Sequence, residues 1–150
     1  MENGFDFESG CLFGEFGRVK FDLQLRGKKV QVLGDSATGK TMIANILKND
    51  SQSGKFNNIM EYPNVHVIDS TFKREILEGY SSSLILIDRG DLILTPDIVL
   101  FIRTDRRNKY LIFARCALGL GISPNYFGHL KLNGDGFLRI EYMCSERGWF

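Results

Sequence analysis

The chain has 150 residues, of which 43% are hydrophobic and 25% charged, which is typical of one globular domain. Its 19 basic and 18 acidic residues leave a net charge of +1, so electrostatics does not indicate nucleic acid or an anionic membrane as the main partner. No apolar run approaches the roughly 20 residues that cross a bilayer. We therefore expect residues 1–150 to form a single soluble domain without a membrane partner.

The cysteines indicate a reducing compartment. Cys11, Cys116 and Cys144 are odd in number, far apart and without a CxxC pair, whereas a structural zinc site needs four ligands that are often closely spaced. The N-terminal residues MENGFDFESG lack the apolar core of a signal peptide. We interpret the cysteines as free thiols and expect a cytoplasmic protein.

The first half of the chain predicts two strands followed by a helix. Residues 1–14 have no clear period and are expected to form a loosely packed N-terminal arm. Residues 16–25 alternate apolar and polar side chains, and this pattern predicts a half-buried strand. A second strand is predicted at 29–33, and the short turn between the two favours an antiparallel hairpin. Residues 41–48 (TMIANILK) carry apolar side chains at helical spacing.

The second half alternates predicted strands with predicted helices. Strands are expected at residues 64–69, 83–88 and 110–114, and helices at 71–80 and 97–103. The run SLILID at 83–88 is typical of a strand buried on both faces of a parallel sheet. Asn133-Gly134-Asp135-Gly136 predicts a C-terminal hairpin. Together these patterns predict a three-layer α/β fold with a largely parallel central sheet and antiparallel hairpins at both ends.

A phosphate-binding motif lies between the second strand and the first helix. The pattern GxxxxGK[ST], or Walker A loop, is matched by Gly34, Asp35, Ser36, Ala37, Thr38, Gly39, Lys40 and Thr41. Its glycines permit a sharp exit from the strand and a close approach of the backbone to phosphate. Successive backbone N–H groups form an anion-binding nest, to which the helix dipole adds. The predicted fold is therefore that of a P-loop NTPase.

Two side chains of the motif carry its specific chemistry. Lys40 is expected to reach the β- and γ-phosphates as a point charge, and the Thr41 hydroxyl is expected to bind Mg²⁺. The motif follows a β-branched strand and opens an amphipathic helix, which is the context that supports it. We expect the chain to bind ATP with Mg²⁺ through residues 34–41. No guanine-specific NKxD motif is present, and this favours ATP over GTP.

Asp88 is the expected second group of the magnesium site. It closes the most apolar predicted strand, and its order relative to the loop is typical of P-loop proteins with a further strand between the two motif strands. ATPases of this class usually carry a Glu directly after that Asp, but position 89 is Arg. Asp91 could take the place of that Glu only if the turn at residues 88–91 folds back. Asp69 ends a neighbouring predicted strand and therefore also points to the carboxyl edge of the sheet. No residue therefore stands out as a general base.

Arg115 completes the predicted catalytic set of Lys40, Asp88 and Arg115. It follows the strand at 110–114, where a guanidinium could sense a γ-phosphate or stabilise developing charge. The alternative is an ion pair with a carboxylate such as Asp88 or Asp91. The basic segment RTDRRNK at 103–109 could form a phosphate-gripping lid or a partner surface, but a solvated helix end is the simpler interpretation.

In these motifs the chain resembles the small single-domain, AAA-like P-loop ATPases of Firmicutes and their mobile elements. The resemblance covers roughly residues 20–143 and depends on VQVLGDSATGKT, on an apolar strand ending in DR-x-D, and on a strand ending in AR. It implies ATP binding with an unclear cellular role. The helical lid domain that follows the core in AAA+ ATPases has no counterpart in this sequence.

Three functions remain open from the sequence. The favoured one is a nucleotide-dependent switch or weak ATP hydrolase. The second is a small-molecule kinase, with the basic segment at 103–109 as its lid. The third is a non-enzymatic interaction or inhibitor module that keeps the loop for structure. An unidentified protein partner is expected in addition to the nucleoside triphosphate, and nucleic acid is not indicated.

Overall fold

A computed structural model describes residues 2–34, 39–48 and 62–143. In these ranges the strands are β1 Gly4–Asp6, β2 Cys11–Phe16, β3 Val19–Gln24, β4 Lys29–Leu33, β5 Val65–Ile68, β6 Leu84–Ile87, β7 Lys109–Ala114, β8 Phe127–Leu132 and β9 Leu138–Tyr142. The α-helices are α1 Lys40–Lys48, α2 Arg74–Glu78, α3 Gly90–Ile93 and α4 Pro96–Thr104, and a 3-10 helix spans Pro124–Tyr126.

The described strands form one mixed sheet in the order β1-β2-β3-β9-β8-β4-β7-β6-β5. Strands β8, β4, β7, β6 and β5 are neighbours and run parallel to one another. At the other end, β1, β2 and β3 pair antiparallel, and β8 pairs antiparallel with β9. A parallel contact between β3 and β9 joins the two halves.

The predicted three-layer P-loop NTPase fold with a largely parallel central sheet is wrong. The described part of the chain is instead a nine-stranded mixed sheet with few helices. Two of its four described α-helices span only five and four residues. The error arose because the prediction left out β1 and β2 and did not place the β8–β9 hairpin inside the sheet. Five strands, β1, β2, β3, β9 and β8, are joined there by three antiparallel pairings and one short parallel pairing.

The N-terminal predictions also need correction. The segment expected to be a loose arm holds β1 and the start of β2, and Phe5 and Leu12 are buried there. Tyr62 fastens β2 further, because its hydroxyl donates a 2.5 Å hydrogen bond to the carbonyl oxygen of Phe13. The expected hairpin between β3 and β4 does not form, since β9 and β8 lie between these two strands.

Apolar side chains fill both faces of the parallel strands. Along β6, Leu84 and Leu86 belong to one buried cluster, and Ile85 and Ile87 belong to the other. The prediction that this strand is buried on both faces is confirmed. Helix α1 covers the first face with Ile43, Ala44 and Leu47, while α4 covers the second face with Ile98 and Ile102.

The parallel strands carry several polar residues to one edge of the sheet. Because carboxyl ends of neighbouring parallel strands share an edge, Gly34, Asp69, Asp88 and Arg115 all follow strands at the same edge, where α1 also begins. The further strand expected between β4 and β6 is β7. No helix in the described ranges is long and apolar enough to cross a bilayer.

Candidate functional site

Two glycines mark the ends of the loop after β4. Gly34 has φ = 129° and Gly39 has φ = 96°, which are conformations that side chains with a Cβ rarely adopt. A Cβ at Gly39 would lie 3.2 Å from Cδ1 of Leu138. The two positions at which the motif requires glycine are therefore positions at which the backbone conformation also favours glycine. The predicted binding residues between them, Asp35, Ser36, Ala37 and Thr38, lie outside the described residues.

Lys40 is buried although it carries a charge. It is the first residue of α1 and is only 4% exposed. Its Nζ donates a hydrogen bond to the carbonyl oxygen of Gly34, so the ammonium group reaches back across the loop to the end of β4. Thr41, the other side chain of the motif with a predicted role, is exposed in the first turn of the same helix.

Asp88 is the buried carboxylate at this edge. It is 4% exposed, and its backbone N–H donates a 2.9 Å hydrogen bond to the carbonyl oxygen of Ile68. Burial raises the pKa of Asp88, and the nearby charge and backbone N–H of Arg89 oppose that rise. Asp69 raises the same pKa and the Lys40 ammonium lowers it. Lys40 is thus one of the charged residues that influence the pKa of Asp88.

Asp69 and position 89 are held by other contacts. The Asp69 carboxylate accepts a 2.7 Å hydrogen bond from Nζ of Lys48, and its carbonyl oxygen accepts one of 3.0 Å from the Arg89 guanidinium. Arg89 has φ = 57° in the turn between β6 and α3. Position 89, where many ATPases carry a water-orienting Glu, thus holds an arginine that hydrogen-bonds to the residue following β5.

Arg115 pairs with Asp91, one of the two carboxylates that the sequence left open for it. The Arg115 backbone N–H lies 3.4 Å from Oδ1 of Asp91, and Nε lies 3.9 Å from Oδ2. The Arg115 side chain is 67% exposed. The structure therefore places Lys40 and Asp88 at the same edge of the sheet and leaves Arg115 exposed there, paired with Asp91.

Comparisons with protein-family models, curated proteins and solved structures found no match to this chain. Within residues 2–34, 39–48 and 62–143, no group of three or more His, Cys, Asp or Glu side chains could hold a metal ion. A metal at this edge would therefore need hydroxyl, backbone or ligand oxygens beside Asp88. The functional assignment depends on the site residues themselves.

Gln31 supports the site and was not singled out from the sequence. It is fully buried in the middle of β4. Its Nε2 donates a 2.6 Å hydrogen bond to the carbonyl oxygen of Cys116, and its Oε1 lies 3.4 Å from the N–H of Leu118. The side chain thereby fixes the segment after β7 against the strand that leads into the loop. The sequence feature that could have indicated this role is a polar residue within the otherwise apolar strand KVQVL.

The basic segment at 103–109 lies at the opposite edge of the sheet. Lys109 is the first residue of β7 and pairs with Leu84, the first residue of β6, whereas Lys40 lies beyond the last residue of β4. The Lys109 ammonium donates to the carbonyl oxygen of Phe7, and Lys28 donates a 2.9 Å bond to the carbonyl oxygen of Arg106. These contacts join the segment to the residue that follows β1 and to the residue that precedes β4, and they give no support to a phosphate-gripping lid.

Proposed function

We propose that this chain binds a nucleoside triphosphate, in the first place ATP, together with Mg²⁺, at the edge where β4 and β6 end. The observation that supports the proposal most is the buried Lys40, whose ammonium group contacts the first glycine of a Walker A sequence. Phosphate oxygens are strong, fully charged acceptors, and the Lys40 ammonium already lies at the end of β4, where the motif would hold them.

The start of α1 adds a second attraction for phosphate. The helix spans nine residues and has no acidic residue in its first turn, so its N-terminal dipole and N–H groups are not neutralised by the helix itself. These N–H groups lie beside Lys40 because Lys40 is the first helical residue. The proposed phosphate site therefore combines one ammonium with backbone donors.

Asp88 and Thr41 fit the magnesium part of the proposal. Mg²⁺ prefers oxygen ligands, usually from one or two protein side chains together with substrate phosphates and waters. Asp88 supplies a buried carboxylate at the edge where Lys40 also lies, and Thr41 supplies an exposed hydroxyl at the start of α1. Because burial raises the pKa of Asp88, a cation at this position would also favour its charged form.

The same residues favour a nucleotide-dependent switch or weak ATPase over a rapid enzyme. Arg89 occupies the position of the expected acid and contacts Asp69. Asp91 is paired with Arg115. Arg89 and Asp91 are therefore not arranged to orient water, and Arg115 is not arranged to sense a γ-phosphate. The kinase alternative loses support because the basic segment proposed as its lid lies at the other edge of the sheet.

Isothermal titration calorimetry with Mg-ATP, Mg-GTP, and ATP in EDTA tests the proposal, with phosphate release measured on the same samples. We expect saturable binding of Mg-ATP that weakens in EDTA. Phosphate release is expected to be slower than about 1 s⁻¹, the low end of ordinary turnover numbers. Absence of binding for every nucleotide would contradict the proposal and favour the non-enzymatic interaction module.

A further inference from the structure

A cleft opens directly beside the start of α1. Its volume is about 450 Å³, and it lies between the first turn of α1, the start of β3 and the β8–β9 hairpin. Apolar side chains dominate its lining, and these include Val19, Met42, Leu130, Leu132 and Leu138. The volume is within the range of small-molecule sites, which are mostly apolar.

The cleft is continuous with the proposed phosphate site through Gly39. Gly39 is one of its lining residues. From the point where a Gly39 Cβ would lie, Leu138 Cδ1 is 3.2 Å away and Met42 Cε is 3.9 Å away. The apolar walls therefore begin where the glycine of the loop ends, and a molecule held by its phosphates at Lys40 has this cleft next to it.

Two of these apolar side chains are unusually exposed. Leu132 is 65% exposed and Met42 is 41% exposed, so a flat apolar group in the cleft would remove their surface from water. The rim is cationic, because Arg18 and Lys20 also line the cleft. The described lining contains no carboxylate. A ligand that combines an anionic part with a flat apolar part matches both properties.

We propose that this cleft takes the base and ribose of the nucleoside triphosphate; this inference depends on the proposed function. Leucine and methionine side chains contact the faces of the base, while Arg18 and Lys20 face the sugar–phosphate part. The charged side chains among the described lining residues are hydrogen-bond donors only. These described side chains therefore offer no acceptor for an exocyclic amino group, and ATP and GTP bind with affinities within about tenfold of each other.

Inorganic tripolyphosphate provides the test because it has the phosphates without the nucleoside. Calorimetry would compare Mg-ATP, Mg-GTP and Mg-tripolyphosphate on the wild type, on the double variant Met42→Ser/Leu132→Ser, and on the control Leu100→Ser. Leu100 is 58% exposed on α4, outside the cleft lining. We expect the wild type to bind ATP at least about tenfold more tightly than tripolyphosphate. The double variant should lose about tenfold for ATP and little for tripolyphosphate, since partial burial of two apolar side chains contributes on this scale.

The outcomes separate the cleft from the phosphate site. Equal affinities of the wild type for ATP and tripolyphosphate would overturn the cleft proposal and leave the proposed function standing. An ATP affinity lowered as much by Leu100→Ser as by the double variant would also overturn it. Failure of both ATP and tripolyphosphate to bind would overturn the proposed function, and the cleft proposal with it. A preference between ATP and GTP well above tenfold would contradict the predicted weak base selectivity.

Discussion

The Lys40 ammonium group donates a hydrogen bond to the carbonyl oxygen of Gly34, so the residue that begins α1 contacts the residue that follows β4. This contact draws the ends of the Walker A loop together around a cation. The ammonium group has three donors, and in the proposed function the charged phosphate oxygens would be stronger acceptors for them than this neutral carbonyl. Lys40 therefore contributes in two ways: it fastens the loop, and it supplies the charge that the proposed function needs.

Replacing Asp88 by Asn should have opposite effects on stability and on ligand binding, because the buried carboxylate destabilises the fold but is proposed to bind Mg²⁺. Burial raises the pKa of Asp88 above its ordinary value, so the folded state favours the protonated form. Stability associated with this group therefore falls as the pH rises from about 4 through the raised pKa. At pH 7, Asp88→Asn should raise Tm, by about 2–4 °C for each kcal/mol gained. It should also abolish the Mg²⁺ dependence of ATP binding.

Thermal unfolding at about pH 4 and pH 7 tests this prediction, because the increase in Tm caused by Asp88→Asn should be larger at pH 7. Asp135→Asn is the matched control. Hydrogen bonds from Arg139 and from the backbone N–H of Phe137 hold the pKa of that exposed carboxyl below its usual range, so this substitution should not stabilise the protein at pH 7. If Asp88→Asn lowers Tm more at pH 7 than at pH 4, the buried carboxylate is stabilising and the electrostatic account is wrong.

Local patterns in the sequence predicted the elements that form the edge of the site. The apolar run of β6 is buried on both faces, and α4 begins at Pro96 directly after Thr95 in the N-cap position. The β8–β9 hairpin also follows its turn residues. In each case neighbouring residues carry the information, because burial, capping and turn chemistry act over a few positions.

The sheet order could not be predicted in the same way, since it depends on pairing between distant segments. Phe21 in β3 pairs with Leu138 in β9, and nothing near either residue specifies the other. A glycine is also one reason why the N-terminal strands were not predicted. Gly14 interrupts the apolar pattern of β2, yet a Cβ there would lie only 2.3 Å from the Phe21 ring. The glycine is thus part of tight packing, where the sequence alone indicated a loose arm.

The partner of Arg115 shows the same limit within the candidate site. The sequence placed Arg115 at the correct edge, after β7, but an ion pair and a γ-phosphate sensor predict the same residue at the same position. The choice depends on where α3 carries Asp91. This four-residue helix is too short to give a periodic pattern, and it was not predicted.

Gly39→Ala should destabilise the protein by about 1–3 kcal/mol. The positive φ of 96° is unfavourable for alanine, and the new Cβ would lie 3.2 Å from Leu138 Cδ1. Gly119→Ala is the control, because a Cβ there meets nothing within 4 Å, and it should change the free energy of unfolding by less than about 0.5 kcal/mol. Urea unfolding measures both. Equal effects of the two substitutions would rule out a special backbone requirement at the end of the loop.

Tyr110→Phe should destabilise the protein through the buried Asp105. Burial alone would raise the pKa of Asp105, but hydrogen bonds from Tyr110 and Asn108 and the nearby Arg107 outweigh it and lower the pKa. The Tyr110 hydroxyl donates the shortest of these bonds, at 2.6 Å. Its loss should cost about 1–3 kcal/mol at pH 7, because the bond is buried and its acceptor is charged.

The pH dependence distinguishes this network from simple packing. A lowered carboxyl pKa contributes stability above the ordinary pKa and loses it as the pH falls through the folded value. The cost of Tyr110→Phe should therefore be smaller at about pH 3 than at pH 7. Tyr126→Phe, at a half-buried tyrosine, is the control and should have little effect at either pH. A cost for Tyr110→Phe that does not vary with pH would contradict the account.

Ligand-dependent thermal unfolding of the wild type and Lys40→Met tests the central claim most directly. Mg-ATP at about 100 times its Kd should stabilise the wild type by about 2.7 kcal/mol, which raises Tm by roughly 5–10 °C for a chain of this size. Lys40→Met should lose this shift, whereas Lys73→Met, at an exposed lysine before α2, should keep it. A wild type that does not respond to Mg-ATP, or a Lys40→Met protein that responds equally, would contradict nucleotide binding at this loop.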